Sequence, residues 1–104
     1  MAKKKSASTK NQKPASRWTF LSNHGHVLVA LHRDPDARLR DVAELVGITE
    51  RAVLHIVADL EEEGILQRVR EGRRNHYEFN LKTPLRHPLE QDHSVQELIG
   101  MLVK

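Results

Sequence analysis

The stretch Leu39–Gly64, LRDVAELVGITERAVLHIVADLEEEG, constrains this chain more than any other. Val42, Ala43 and Val46 fall at i, i+1 and i+4; Val53, Ile56, Val57 and Leu60 fall at i, i+3, i+4 and i+7. Both are single-face patterns of period 3.6, so the spacing predicts helices over Arg40–Val46 and Thr49–Glu62. Gly47-Ile48 separates them. Glycine takes the left-handed conformation that ends a helix without a Cβ clash, and Ile48 then plugs the turn. The Thr49 hydroxyl can accept from free N–H groups at the start of the second helix, and Glu50 suits the positive end of its dipole.

A chain of 104 residues is most simply one domain. Its core is small enough that a partner subunit would help it. With no cysteine there is no disulfide, thiolate zinc site or thiol nucleophile, which fits a reducing cytoplasm. No apolar run approaches the roughly 20 residues of a membrane span, and the Lys3-Lys4-Lys5 start is not followed by the apolar core of a secretion signal. The formal net charge of +3 is unevenly spread. Residues 1–17 hold six cations and no acid, whereas the remaining 11 cations face 14 acids. Affinity for a polyanion must therefore come from a local patch, with or without help from the tail.

Residues 1–16 are Lys, Ser, Ala, Thr, Asn, Gln and Pro with almost nothing to bury, and read as a disordered basic tail, either a phosphate-tracking arm or a solubilising segment. Trp18, Phe20 and Leu21 open the folded part, the aromatics being expected in the core or between subunits rather than stacked on bases. Ser22 can cap a helix over Asn23–Arg33 with Val27, Leu28 and Leu31 as its buried stripe, ended by Asp34-Pro35-Asp36. Beyond Gly64 the period becomes 2. Strands are expected at Ile65–Arg70 and Asn75–Leu81 around the turn Glu71-Gly72-Arg73-Arg74, with Tyr77, Phe79 and Leu81 sharing one face. Lys82–Pro88 reads as a connector. Ser94 and Glu97 then have capping-box spacing ahead of a short helix with the stripe Val95, Leu98, Ile99 and Leu102. That stripe either folds back on its own domain or meets its twin across a two-fold axis, and the twin is favoured.

Helix, glycine turn, helix is the helix-turn-helix arrangement, whose second helix enters the major groove. With a helix before it and a hairpin after it, residues 21–81 resemble the winged helix-turn-helix of MarR/ArsR-type transcriptional regulators. The resemblance is carried by Leu39–Ala43, Val46–Val53, Asp59–Arg68 and the wing-like Gly72–Tyr77. It implies a mainly helical fold with a small β-hairpin: a winged helix domain over residues 17–82, then a connector and dimerisation helix over 83–104. It also implies a homodimeric regulator of transcription, repression being the commoner outcome in that family. Metal sensing through thiolates is excluded by the absence of cysteine.

The residues expected at DNA follow. Arg51 is placed to pair with guanine O6 and N7, His55 with a base or phosphate, Leu54 with a thymine methyl, and Glu50 with cytosine N4 or with Arg51 itself. Thr49 and Arg40 suit phosphates at helix starts. The wing contributes Arg70, Arg73, Arg74 and His76, cations that a narrow minor groove or the backbone attracts. Arg68 is assigned instead to an acid of the second helix. Asp59, Glu61, Glu62 and Glu63 lie toward that helix's far end, keeping repulsion from phosphates. The seven histidines lack the helical His-x-x-x-His spacing of a zinc site, and no phosphate loop or nucleophile elbow is present, so neither metal, cofactor nor catalysis is expected. Two rivals stay open: a winged helix that binds protein instead of DNA, and a ligand-responsive sensor with a pocket between the first and last helices. Nothing in the sequence indicates an effector.

Overall fold

The computed structural model describes residues 18–103; the expectations for the basic tail lie outside the described residues. The chain order is α1 (Asn23–Arg33), α2 (Leu39–Val46), α3 (Glu50–Glu62), β1 (Leu66–Glu71), β2 (Arg74–Phe79) and α4 (Val95–Leu102). Each boundary has a local cause. Ser22 Oγ accepts from the Gly25 N–H, and Thr49 Oγ1 accepts from the Ala52 N–H at 3.0 Å, so Thr49 caps α3 from just outside it. At the end of α2, Gly47 sits at φ 89°, and the N–H groups of Gly47 and Ile48 both donate to the Ala43 carbonyl (2.8 and 3.0 Å). That reversal needs a residue without a Cβ.

The two strands are antiparallel, paired from Leu66↔Phe79 to Glu71↔Arg74, and Gly72 at φ 64° opens the two-residue turn between them. Strand β2 stops at Phe79, short of Leu81: the Asn80 N–H still donates across to the Ile65 carbonyl (2.8 Å), but the Ile65 N–H is taken by the Leu60 carbonyl at the end of α3 (2.9 Å), so the ladder ends there.

The expected helical stripes meet in one core. Val27 and Leu31 of α1, Val42 of α2, and Val53 and Val57 of α3 are fully buried, with Tyr77 of the hairpin closing one side; among the described residues no charged side chain is buried. Burial at about 25 cal/mol per Å² of apolar surface holds such a layer together. The Tyr77 hydroxyl has no hydrogen-bond partner inside it.

Val95 and Ile99, expected at a dimer interface, are instead 4% and 1% exposed within the single chain. The connector explains it. Thr83 and Leu81 carbonyls accept from Val95 and Gln96 N–H groups (2.9 and 2.8 Å), and Leu85 N–H donates to His93 O (2.9 Å). This pins the start of α4 onto the body, and the capping box of Ser94 and Glu97 fixes its direction. The outward side of α4 carries half-buried Leu98 and the more exposed Met101 and Leu102. Trp18 and Phe20, expected in a core or between subunits, are 76% and 94% exposed and pack edge-to-face on each other at 5.0 Å, so the core does not hold them.

Candidate nucleic-acid interface

Because α3 turns Val53, Ile56, Val57 and Leu60 inward, its first two turns must show the opposite face. Glu50, Arg51, Leu54 and His55 are all exposed there, Leu54 at 45%. A large apolar side chain exposed among these polar ones suits an apolar partner such as a thymine methyl. Arg51 and His55 also line a shallow, open groove of ≈ 500 Å³, together with the cap residue Thr49, Ala52, Ile56 and Asp59 of α3, and His24 of α1. His24 Nε2 donates to Asp59 Oδ2 at 2.8 Å. Asp59 is thus on the groove side of the helix, on the line of Arg51 and His55, with an imidazole against its charge.

The α2 start is open in a different way. Its cap residue Arg38 makes no side-chain hydrogen bond to the free N–H groups, and Arg40 projects into solvent in the first turn. The cation and the free N–H groups at this helix end favour an anion, and the Asp41 carboxylate in the same turn opposes one.

The wing is less uniform than its composition implies. Arg70 Nε donates to the Gly72 carbonyl (3.0 Å), bracing the turn from within. Arg74 Nη2 donates to the Asp36 carbonyl (3.3 Å), and His76 Nδ1 to the Asp36 carboxylate (2.8 Å). That bond, with the nearby charges of Asp36, Glu71 and Glu78, outweighs desolvation and raises the His76 pKa above its ordinary value. Arg73, at the apex, is exposed and makes no ion pair; among the described residues the same holds for Arg40 and Arg51. The ten expected DNA residues therefore divide. Thr49, Glu50, Arg51, Leu54 and His55 share one end of α3. Arg40 stands at the start of α2, Arg70 and Arg73 at the wing tip, and Arg74 and His76 are drawn toward the α1–α2 connector.

Arg68 takes the structural role expected of it. Its Nη2 and Nε reach the two Glu61 oxygens at 3.0 and 3.4 Å, a forked contact that ties β1 to the end of α3. Sequence reasoning missed the groove-side place of Asp59 and the reach of Asp36. Partners 35 and 40 residues apart leave no spacing signal, and only the folded topology brings them together.

Three helices, a hairpin wing and an exposed capped helix ahead of it define a winged helix-turn-helix domain, and residues 22–67 match the model of the family described as winged helix-turn-helix DNA-binding. The chain is similar to PcaV, a transcriptional regulator from Streptomyces coelicolor solved in complex with its natural ligand. The identity is 32% and the TM-score 0.50, over 58% of this chain and 45% of that one. This chain spans less than half the length of that protein. No curated protein matches it.

Proposed function

We propose that the chain is a sequence-specific, double-stranded-DNA-binding regulator of transcription, acting in the cytoplasm as a homodimer and most simply by occluding a promoter. The observation that carries this is the capped, exposed first half of α3, where Arg51, Leu54 and His55 stand together and, among the described residues, have no partner that would hold them for the fold's own sake. Inserted in a major groove, Arg51 reads guanine while Thr49 and Arg40 meet flanking phosphates; Arg70 and Arg73 at the wing lie on the adjacent backbone or minor groove. The dimer surface is the outward side of α4, Leu98, Met101 and Leu102, which leaves Val95 and Ile99 in the core. Two copies then address half-sites about 34 Å apart.

The test is fluorescence anisotropy of duplexes titrated at several salt concentrations, with and without residues 1–16. Log K should fall linearly with log salt, by about 0.9 per neutralised phosphate, and should do so without the tail. Arg51→Ala should cost roughly 1–3 kcal/mol of discrimination at one base pair. Binding that disappears with the tail would leave a protein-interaction module as the better account.

A small-molecule effector is a second reading, favoured by one observation: the similar regulator PcaV was solved in complex with its natural ligand. A melting shift on ligand screening would support it.

A further inference from the structure

The connector between α1 and α2 is a tight turn that meets the wing at three places. Ala37 N–H donates to the Asp34 carbonyl (3.0 Å), and Asp36 N–H donates to Asp34 Oδ1 (3.2 Å), so the turn is closed on itself with Pro35 inside it. Its outward acceptors face β2. Pro35 O accepts from the Tyr77 N–H at 3.1 Å, Asp36 O from Arg74 Nη2 at 3.3 Å, and the Asp36 carboxylate from His76 Nδ1 at 2.8 Å. Arg74 and His76 are two apart on a strand and so share one face.

We propose that Asp36 is a positioning residue for DNA binding: by holding Arg74 and His76 it latches the wing to the body and sets where Arg70 and Arg73 stand relative to α3. This rests on the DNA-binding reading above. A two-stranded hairpin is marginal on its own and its angle must be fixed from outside. The core does this at the root of the wing through Leu66 and Tyr77, and the latch does it further out. A carboxylate beside a phosphate-binding tip would repel DNA unless neutralised, and the His76 imidazolium paired with it does so, while Arg74 is held by the backbone carbonyl of the same residue, Asp36.

The latch is also sensitive to protons. Facing His76 are Asp36 from the connector, Glu71 from β1, and Glu78 and Arg74 on its own strand; its cross-strand partner, Val69, does not titrate. The acids favour the imidazolium, in keeping with the raised pKa. The latch is therefore strongest below His76's folded pKa and weakens as pH rises through it.

The experiment uses the full chain with Asp36→Asn, His76→Gln and the double variant. Proton NMR follows the His76 ring and the exchange of the Tyr77 amide, and anisotropy follows duplex affinity from pH 6 to 8 at constant ionic strength. In Asp36→Asn the His76 pKa should fall and Tyr77 exchange should quicken. Between pH 6 and 8 the native chain should lose roughly two- to fivefold more affinity than Asp36→Asn, the scale of an exposed ion pair. His76→Gln should weaken binding at pH 6 by a similar factor and add nothing in the Asp36→Asn background. If His76→Gln weakens both backgrounds equally, His76 touches phosphate itself and the latch is refuted. An unchanged His76 pKa in Asp36→Asn refutes it as well. Absence of duplex binding by the native chain would refute the DNA-binding reading instead, and the NMR arm would still decide whether the latch exists.

Discussion

Ile99 offers the sharpest test of how the last helix is used. It is 1% exposed, so Ile99→Ala deletes buried methyl and methylene groups and leaves a void against the three-helix body. Buried Ile→Ala changes cost about 2–5 kcal/mol. The site lies on an eight-residue terminal helix that can partly collapse, which places it in the lower half of that range, about 2–3 kcal/mol. For a domain of this size the melting temperature should fall by roughly 10–20 °C. The measurement is denaturant unfolding by circular dichroism over about two decades of protein concentration. The Ile99→Ala offset should be the same at every concentration, because the contact is within one chain. Leu102→Ala, on the outward side, should behave oppositely under the proposed pairing of two copies: its effect should fade as dilution dissociates them, a dimer's stability changing by about 1.4 kcal/mol per tenfold in concentration. An Ile99→Ala cost below about 0.5 kcal/mol, or one that shrinks on dilution, would put Ile99 between copies and overturn the intrachain packing.

Three further outcomes are expected. Thr49→Ala should destabilise by about 1 kcal/mol through loss of the cap on α3, seen as a lower unfolding midpoint, whereas Thr49→Ser should retain most of it. Tyr77→Phe removes a buried hydroxyl that has no partner, and should stabilise the chain by about 1 kcal/mol or more in the same assay; a loss of stability would show that the hydroxyl is satisfied. Glu97 is held below its ordinary pKa by the Ser94 N–H and His93, so its contribution to folding is present above the unfolded pKa of 4.5 and is lost as pH falls through the folded value. An acid titration of stability should accordingly be shallower in Glu97→Gln than in the native chain.

Much of this fold was legible because its signals are local. The 3.6-residue period of Val53, Ile56, Val57 and Leu60, the glycine at 47, and the caps at Ser22, Thr49 and Ser94 each act within a turn or two of themselves, and α1 occupies the range its cap and stripe imply. The exposed face of α3 follows by subtraction from its buried one. The fate of α4 did not follow, since a stripe of Val95, Leu98, Ile99 and Leu102 states only that something covers it. What decides is the pairing of residues 81–85 with 93–96, a matter of hydrogen bonds that leave no hydrophobic pattern. The wing shows the same limit at the site: Arg73 and Arg74 are alike in sequence, yet the turn geometry leaves one in solvent and aims the other at Asp36.

The turn at Pro35 also has a consequence for the fate of the hairpin's open sides. A sheet of two strands has two free margins, each a template on which a stranger's backbone can zip up. On the β2 margin the Tyr77 amide is already spent on a proline carbonyl, and proline, having no N–H, has none to return to that margin. The β1 margin carries Arg68, Arg70 and Glu71, whose charges discourage a neutral strand from docking. Both margins of the hairpin are thus poor templates for the backbone of a second strand.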